Sequence, residues 1–211
     1  MKVIVVANGE VTAGDWWQEA CEGAAWVVAA DGGAQNALRL GLTPCVVIGD
    51  LDSLEPVLRQ ELTQRGVEFI SHSPHKDETD TELALLYAAQ HGADEILLLG
   101  ALGGRLDHAL ANVFLLAMPQ LAAVRITIVA PQCMVSLIRD EACFAGRPGD
   151  VLSLLPVGGD VRGITTQGLE YPLCDETLSF GPARGISNVL TESVARVRVR
   201  EGLLLAIQYH S

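Results

Sequence analysis

Up to about residue 131 this chain alternates short runs of consecutive apolar residues with longer segments of helical pattern, and that alternation restricts its fold more than any other feature. The apolar runs occupy residues 3–7, 26–30, 45–48, 67–70, 95–99 and 124–129, and the helical patterns fall near 15–23, 33–41, 54–65, 80–91 and 106–118. A run that is apolar at consecutive positions, rather than at every second one, belongs to a strand covered on both faces. Strand and helix in alternation then imply a doubly wound, mainly parallel sheet. Beyond residue 132 the pattern changes to short apolar pieces at 134–138, 151–154, 161–166 and 177–180, separated by glycine and proline. In 193–209, Val197 and Val199 alternate with Arg196, Arg198 and Arg200, and Glu201-Gly202 offers a hairpin turn. With 211 residues, 49% of them hydrophobic, two cores are within reach. The expectation is an α/β domain over 1–131 followed by an all-β domain over 132–211.

The formal net charge of -12 argues against a nucleic-acid partner, because phosphate neutralisation needs clustered lysine and arginine. The five cysteines, at 21, 45, 133, 143 and 174, are widely spaced and form no C-x-x-C pair. Neither a zinc knuckle nor a disulfide framework is expected, and reduced thiols in a cytoplasm fit the spacing. The apolar stretch after Met1-Lys2 ends at Ala7, too short for a signal peptide's hydrophobic region. No stretch approaches the length that spans a bilayer, so no membrane partner is expected.

In open parallel sheets, ligands bind in the crevice at the carboxyl ends of the strands, and four such ends carry polar clusters. After the second run comes Ala30-Asp31-Gly32-Gly33-Ala34, whose glycines permit a tight turn and close approach of a ligand. Asp31 could equally be a helix cap. After the third run comes Ile48-Gly49-Asp50-Leu51-Asp52-Ser53. In extended backbone Asp50 and Asp52 share a face, and at roughly 4 Å two such charges repel by about 4 kcal/mol at an intermediate dielectric. A metal ion, a proton, a basic side chain or a helix N-terminus could offset that. Asp52 or Ser53 could cap the next helix, with Glu55 as its capping-box partner and Pro56 in the first turn, but a cap explains one aspartate and not two.

The third cluster, residues 75–82, gives Thr79 and Glu82 capping-box spacing, places Asp80 in the first helical turn, and puts Lys76 beside Asp77 just ahead of it. A lysine there can reach a phosphate while the helix's free N–H groups bind another oxygen. The fourth cluster follows the fifth run: Gly100, Gly103 and Gly104 loosen the loop, then Arg105, Asp107, His108 and Asn112 arrive together. Arg105 could grip a phosphate, with Asp107 and Asn112 orienting its neighbours or the ribose and base. An Arg105–Asp107 surface pair is the plain alternative. His72 and His75 read as solvated loop histidines. There is no G-x-x-x-x-G-K-[ST] loop, and no G-x-G-x-x-G follows the first run. What converges is carboxylates for a cation, one lysine, one arginine and glycine turns, which is equipment for phosphoryl transfer.

The ordered series Ala-Asp-Gly-Gly-Ala at 30–34, Gly-Asp-Leu-Asp-Ser at 49–53, Lys-Asp-x-Thr-Asp-Thr-Glu at 76–82 and Gly-Gly-Arg-Leu-Asp-His at 103–108 resembles the thiamine pyrophosphokinases, also called thiamine diphosphokinases. A fifth piece is Leu178-Ser179-Phe180-Gly181 followed by Gly185-Ile186-Ser187-Asn188. The resemblance implies an α/β N-terminal domain and a β-sandwich C-terminal domain that contributes to thiamine binding and dimerisation. It also implies a homodimer with active sites between subunits. The implied reaction transfers the diphosphate of ATP to the hydroxyethyl oxygen of thiamine, leaving AMP, with Mg²⁺ required.

Carried over position by position, Asp31, Asp50, Asp52 and Asp80 match the acidic cluster around metal and phosphates, with Asp50, Asp52 and Asp80 as the metal ligands. Lys76, Asp77, Thr79, Gly104, Arg105, Asp107, His108 and Asn112 fall on the ATP side, and Ser187 with Asn188 on the thiamine side. The proton acceptor is Asp52 or Asp31. Two positions depart from the pattern: Ile186 stands where a hydroxyl residue such as threonine is expected, and all three tryptophans lie in the first half. An aromatic stack from the β half would therefore fall to Tyr171, Phe180 or another tyrosine or phenylalanine. The rival reading takes Asp50-Leu51-Asp52 as the D-x-D of a metal-dependent phosphatase or nucleotide-sugar transferase.

Overall fold

The computed structural model describes residues 1–12 and 14–209, and the chain divides into two compact units, Met1–Pro131 and Gln132–Ser211. In the first, β1 (Lys2–Val6), β2 (Trp26–Ala30), β3 (Val46–Gly49), β4 (Glu68–Ser71), β5 (Glu95–Leu99) and β6 (Arg125–Val129) form one sheet in the order β4-β3-β2-β1-β5-β6. Every pairing in it is parallel. The helices α1 (Gln18–Cys21), α2 (Gly33–Arg39), α3 (Pro56–Gln64), α4 (Asp80–Gln90) and α5 (Leu106–Leu115) fill the connections. The central strands β1, β2, β3 and β5 are buried at nearly every position, as their unbroken apolar runs require. Strands added from β1 through β4 build outward in one direction, and β5 then returns to the other side of β1. The order reverses there, which makes the carboxyl ends of β1 and β5 the switch point where such sheets bind ligands.

Helix α1 is much shorter than the 15–23 expected from the pattern. The indole N–H groups of Trp16 and Trp17 donate to the carbonyls of Thr12 and Gly14 at 3.1 and 3.2 Å, so both side chains fold back on the chain before the helix. Gly23, at a φ of 76°, ends the segment.

The second unit is antiparallel and contains β7 (Cys133–Ile138), β8 (Glu141–Ala145), β9 (Val151–Gln167), β10 (Glu176–Leu178), β11 (Asn188–Val189), β12 (Val194–Arg198) and β13 (Glu201–Tyr209). The pieces expected at 151–154 and 161–166 are one 17-residue strand, β9. Pro156 stays in register opposite Leu204, and Gly158, with a φ of 75°, lies in the stretch where the β9–β13 register shifts, opposite Glu201 to Leu203. Its first part pairs with β13 and its last residues with β12, so one strand serves both layers of the sandwich.

The hairpin expected at Glu201-Gly202 does not form: β12 pairs with β8 and β9, whereas β13 pairs with β7 and β9. The alternating burial of β12 is correct, but its partners are set by the path of β9. Strand β8 was not foreseen, because Glu-Ala-Cys-Phe-Ala holds no β-branched residue and only one large side chain, Phe144. Between the layers pack Ile138, Phe144, Leu152, Leu154, Val197 and Leu204 with their neighbours.

Candidate functional site

Three aspartates converge at the carboxyl ends of β2 and β3. Asp31, Asp50 and Asp52 each present one carboxylate oxygen within 4.8 Å of the others. Asp31 is buried and its Oδ1 has no hydrogen-bond partner, Asp50 is half-buried, and Asp52 is exposed. Burial pushes the Asp31 carboxyl above the ordinary carboxylate range; hydrogen bonds from Ser53 and Gly32 oppose the rise, and the charges of Asp80 and Asp50 add to it. Desolvation and like charge thus act together on a carboxylate with one oxygen left unpartnered, a situation that a bound cation relieves.

The backbone is bent to make this arrangement. Among the described residues of the first unit, the non-glycine positions with positive φ are Asp31 at 44° and Leu51 at 64°. Left-handed backbone at such residues costs of order 1–3 kcal/mol and persists only where the surroundings over-determine it. Leu51 is held by its side chain, buried with Val47, Leu54, Leu62 and Val67. On its outer side the Asp52 N–H donates to Asp50 Oδ1 at 3.3 Å. Asp50 and Asp52 therefore do not share one face of an extended strand as expected. Strand β3 stops at Gly49 and the chain turns at Leu51, yet the carboxylates still meet.

Neither aspartate cluster is a helix cap. The N-cap of α2 is Gly32 and that of α3 is Glu55, and neither helix start has a side-chain cap bond. Ser53 Oγ instead donates to Asp52 Oδ1 at 3.1 Å.

Gly49 lies against this group. A Cβ there would sit 2.8 Å from Asp31 Cβ and 3.0 Å from Asp80 Cγ, so only a bare backbone lets Asp80 come this close. Asp80 is not one of the converging three. Its Oδ1 is 2.8 Å from Lys76 Nζ, and both side chains are mostly buried. Desolvation pulls the Lys76 ammonium down, but the ion pair with Asp80 and the charges of Asp50 and Asp31 outweigh it and hold Lys76 above its ordinary value. Lys76 therefore remains a fixed cation beside the aspartates. Thr79 caps α4 as expected, its Oγ1 accepting the Glu82 N–H at 3.1 Å, while Asp77 is exposed.

The loop after β5 reaches the same end of the sheet. The Gly9 N–H donates to Gly100 O at 2.9 Å, which ties the loops after β1 and β5 together at the switch point. Arg105 and Asp107 are exposed and pair through two bonds, Nε–Oδ1 at 3.1 Å and Nη2–Oδ2 at 2.5 Å. The hydrogen bond from Arg105 is the main cause of an Asp107 carboxyl lowered to about 2. Gly104 and His108 are exposed beside them. Asn112 is buried and donates to Ala101 O at 2.9 Å, so its amide holds the loop from beneath.

Sequence reading missed two asparagines. Asn8 packs so close that a Cβ on Gly32 would lie 2.5 Å from its amide. Asn36 is buried on α2 and donates to Ala7 O at 3.0 Å and Gly9 O at 2.7 Å, clamping the loop after β1. Asn8-Gly9 at a strand's carboxyl end was a usable signal. Asn36 gave none, being one polar position in a helical pattern.

In the second unit Ser187 is exposed with a φ of 57°, and its N–H donates to Ser153 Oγ at 3.0 Å. Asn188 is buried, and its amide brackets Tyr171: Oδ1 accepts the Tyr171 N–H at 3.0 Å, and Nδ2 donates to Tyr171 O at 2.8 Å. Its side chain is spent on backbone. Tyr171, Phe180 and Ile186 stand exposed on the same unit.

Residues 17–128 match the family model described as thiamin pyrophosphokinase, catalytic domain, and residues 137–204 that described as thiamin pyrophosphokinase, vitamin B1 binding domain. The thiamine pyrophosphokinase of Bacillus subtilis is 27% identical over 183 residues, covering 86% of each chain. Thiamine pyrophosphokinase 1 of Oryza sativa subsp. japonica is 27% identical over 206 residues, covering 85% of this chain and 77% of its own. The crystal structure of thiamin pyrophosphokinase from Geobacillus thermodenitrificans superposes with a TM-score of 0.85 at 30% identity, covering 100% of this chain and 98% of that one.

Proposed function

Since the chain belongs to the thiamine pyrophosphokinase family and so transfers the diphosphate of ATP to the hydroxyethyl oxygen of thiamine, giving thiamine diphosphate and AMP, we propose that the acidic crevice of its first unit is where the transfer occurs. The observation that carries this is the convergence of Asp31, Asp50 and Asp52 around a buried, unpartnered oxygen. Three carboxylates with one orphaned oxygen fit a hard divalent cation, which we take to be Mg²⁺. When bound, it supplies charge neutralisation for the phosphate oxygens. Asp31, Asp50 and Asp52 would hold it, and Asp80 stands behind them in its pair with Lys76.

The chain's own groups then do the following. The Lys76 ammonium, kept charged by its acidic neighbours, faces the negative charge that redistributes as the hydroxyethyl oxygen attacks the β-phosphorus in line. The start of α4, capped by Thr79, offers free N–H groups to a phosphate oxygen, with Asp77 at its approach. Arg105 turns from Asp107 to the leaving AMP, and the loop around Gly104, Asp107 and His108, braced by Asn112, encloses the nucleotide at the switch point. Asp52, the exposed member of the three, accepts the hydroxyl proton. Ser187 contributes to thiamine binding directly and Asn188 by fixing the backbone of Tyr171.

The finer reading includes a homodimer with active sites between subunits and a cytoplasmic setting. The first is carried by membership of the family, which implies it. The five free cysteines, three of them exposed, support the second. The phosphatase or nucleotide-sugar reading rests on the dyad alone, and here that dyad follows the third strand. An incubation with ATP, Mg²⁺ and thiamine tests the assignment: wild type should yield AMP and thiamine diphosphate, and Asp52→Asn should abolish both with an unchanged fold by circular dichroism. Near-normal rates in that variant would remove Asp52 from the site.

A further inference from the structure

Strand β12 carries Arg196 and Arg198 on its outward face, and its register sets them in two cross-strand rows. Arg198 lies opposite Glu141 on β8 and Thr165 on β9, while Arg196 lies opposite Cys143 and Gln167. The other face of the same strands is core, with Ala195, Val197, Phe144 and Ile164 buried, so the two arginines have no inward alternative. Among the described residues the carboxylate that pairs with them is shared, and that of Asp175 is taken by Arg200 at 2.7 Å. Glu141 Oε1 is 3.3 Å from Arg196 Nη1, and its Oε2 accepts from Arg198 Nε at 3.2 Å and Nη2 at 3.0 Å. Two guanidinium charges against one carboxylate leave one positive charge unmatched. Most of the N–H groups of the two forks have no protein acceptor among the described residues.

Thr165, Gln167, Arg196 and Arg198 line one cavity. Among the described residues no carboxylate is in its lining, although Glu141 adjoins it through both arginines, and Thr165 Oγ1 already accepts the Asp175 N–H at 3.2 Å, which leaves its hydroxyl hydrogen to donate. Four donor side chains therefore face one space in a chain whose formal charge is -12. We propose that this face of β8, β12 and β9 binds a phosphate group, taken between the two guanidinium forks with Thr165 and Gln167 completing its oxygens. Arginine forks match the oxygens of a tetrahedral dianion pairwise, and the protein's overall negative charge makes such a locally positive cavity the place where a small anion is retained. The strands that form it carry none of the residues assigned to diphosphate transfer.

The test is an NMR titration of the full chain, without divalent metal, that follows arginine side-chain Nε–Hε resonances and the side-chain amide of Gln167. Those of Arg196 and Arg198 are assigned by their absence in Arg196→Gln and Arg198→Gln. Inorganic phosphate should move both saturably at millimolar concentration, the double variant should bind at least about tenfold more weakly at its remaining reporter, Gln167, and Glu141→Gln should bind more tightly because its competing carboxylate is gone. AMP is the second probe. Equal affinities assign the site to free phosphate, and tighter AMP binding assigns it to the phosphate of a nucleotide. Thiamine diphosphate formation should stay at the wild-type rate in all these variants. The proposal is overturned if phosphate leaves the two resonances unmoved, or if Glu141→Gln and the double variant bind as wild type does.

Discussion

Replacing Asp31 by asparagine should make the protein more stable and inactive at once. Asp31 Oδ1 is buried without a partner, and asparagine keeps a polar atom there, so the relief comes from the charge it removes. Oxygens of Asp50 and Asp52 lie within 4.8 Å, where each pair of full charges repels by roughly 3 kcal/mol at an effective dielectric of about 20. Water at the outer two aspartates and the Lys76 ammonium recover much of this, leaving a net relief of about 2 kcal/mol on removing the Asp31 charge. For a chain of this size that corresponds to a rise in Tm of about 4–8 °C without divalent metal.

The sign with pH follows from the raised Asp31 pKa. Its contribution to stability is present below the ordinary carboxylate value and is lost as pH climbs through the higher folded value. Metal-free wild type should therefore lose stability over that window, and Asp31→Asn should lose less. Differential scanning fluorimetry against pH, with and without Mg²⁺, checks all of this, because Mg²⁺ should stabilise wild type and leave Asp31→Asn nearly unmoved. A variant that melts below metal-free wild type, or that gains equally from Mg²⁺, would refute the reasoning.

Gly49→Ala should lower stability by about 1–3 kcal/mol, seen in urea unfolding, and depress kcat, because its Cβ would press on Asp31 and Asp80 at 2.8 and 3.0 Å. Lys76→Met should cut kcat by at least about tenfold and reduce the affinity for ATP, measured by steady-state kinetics. Asn188→Ala removes both bonds to the Tyr171 backbone and should cost about 2–4 kcal/mol in chemical denaturation. It should raise KM for thiamine more than KM for ATP.

The parallel sheet, the cap at Thr79 and the polar clusters at the strand ends were legible in the sequence because each is a local pattern: consecutive apolar residues, a hydroxyl three positions before a glutamate, glycine beside aspartate. The same patterns could not say which groups meet. Asp50 and Asp52 flank one residue, Leu51, yet their partner is Asp31, 19 residues or more upstream, and the fit depends on Leu51 taking a left-handed backbone anchored in the core. Asn112 and Asn188 read as ligand residues and are occupied with backbone. In the β-rich half, Val197 and Val199 revealed a strand but not its partners, since these follow from a 17-residue β9 that bends through Gly158 into both layers.

Sequence alone thus determined the order of elements and the chemical types available, both carried by neighbouring residues. Tertiary structure alone decided which carboxylates crowd together, which polar side chains are consumed in holding loops, and where two arginines share one glutamate. Those depend on distances between segments far apart in the chain, and the free energy of a charge is set by its surroundings in space.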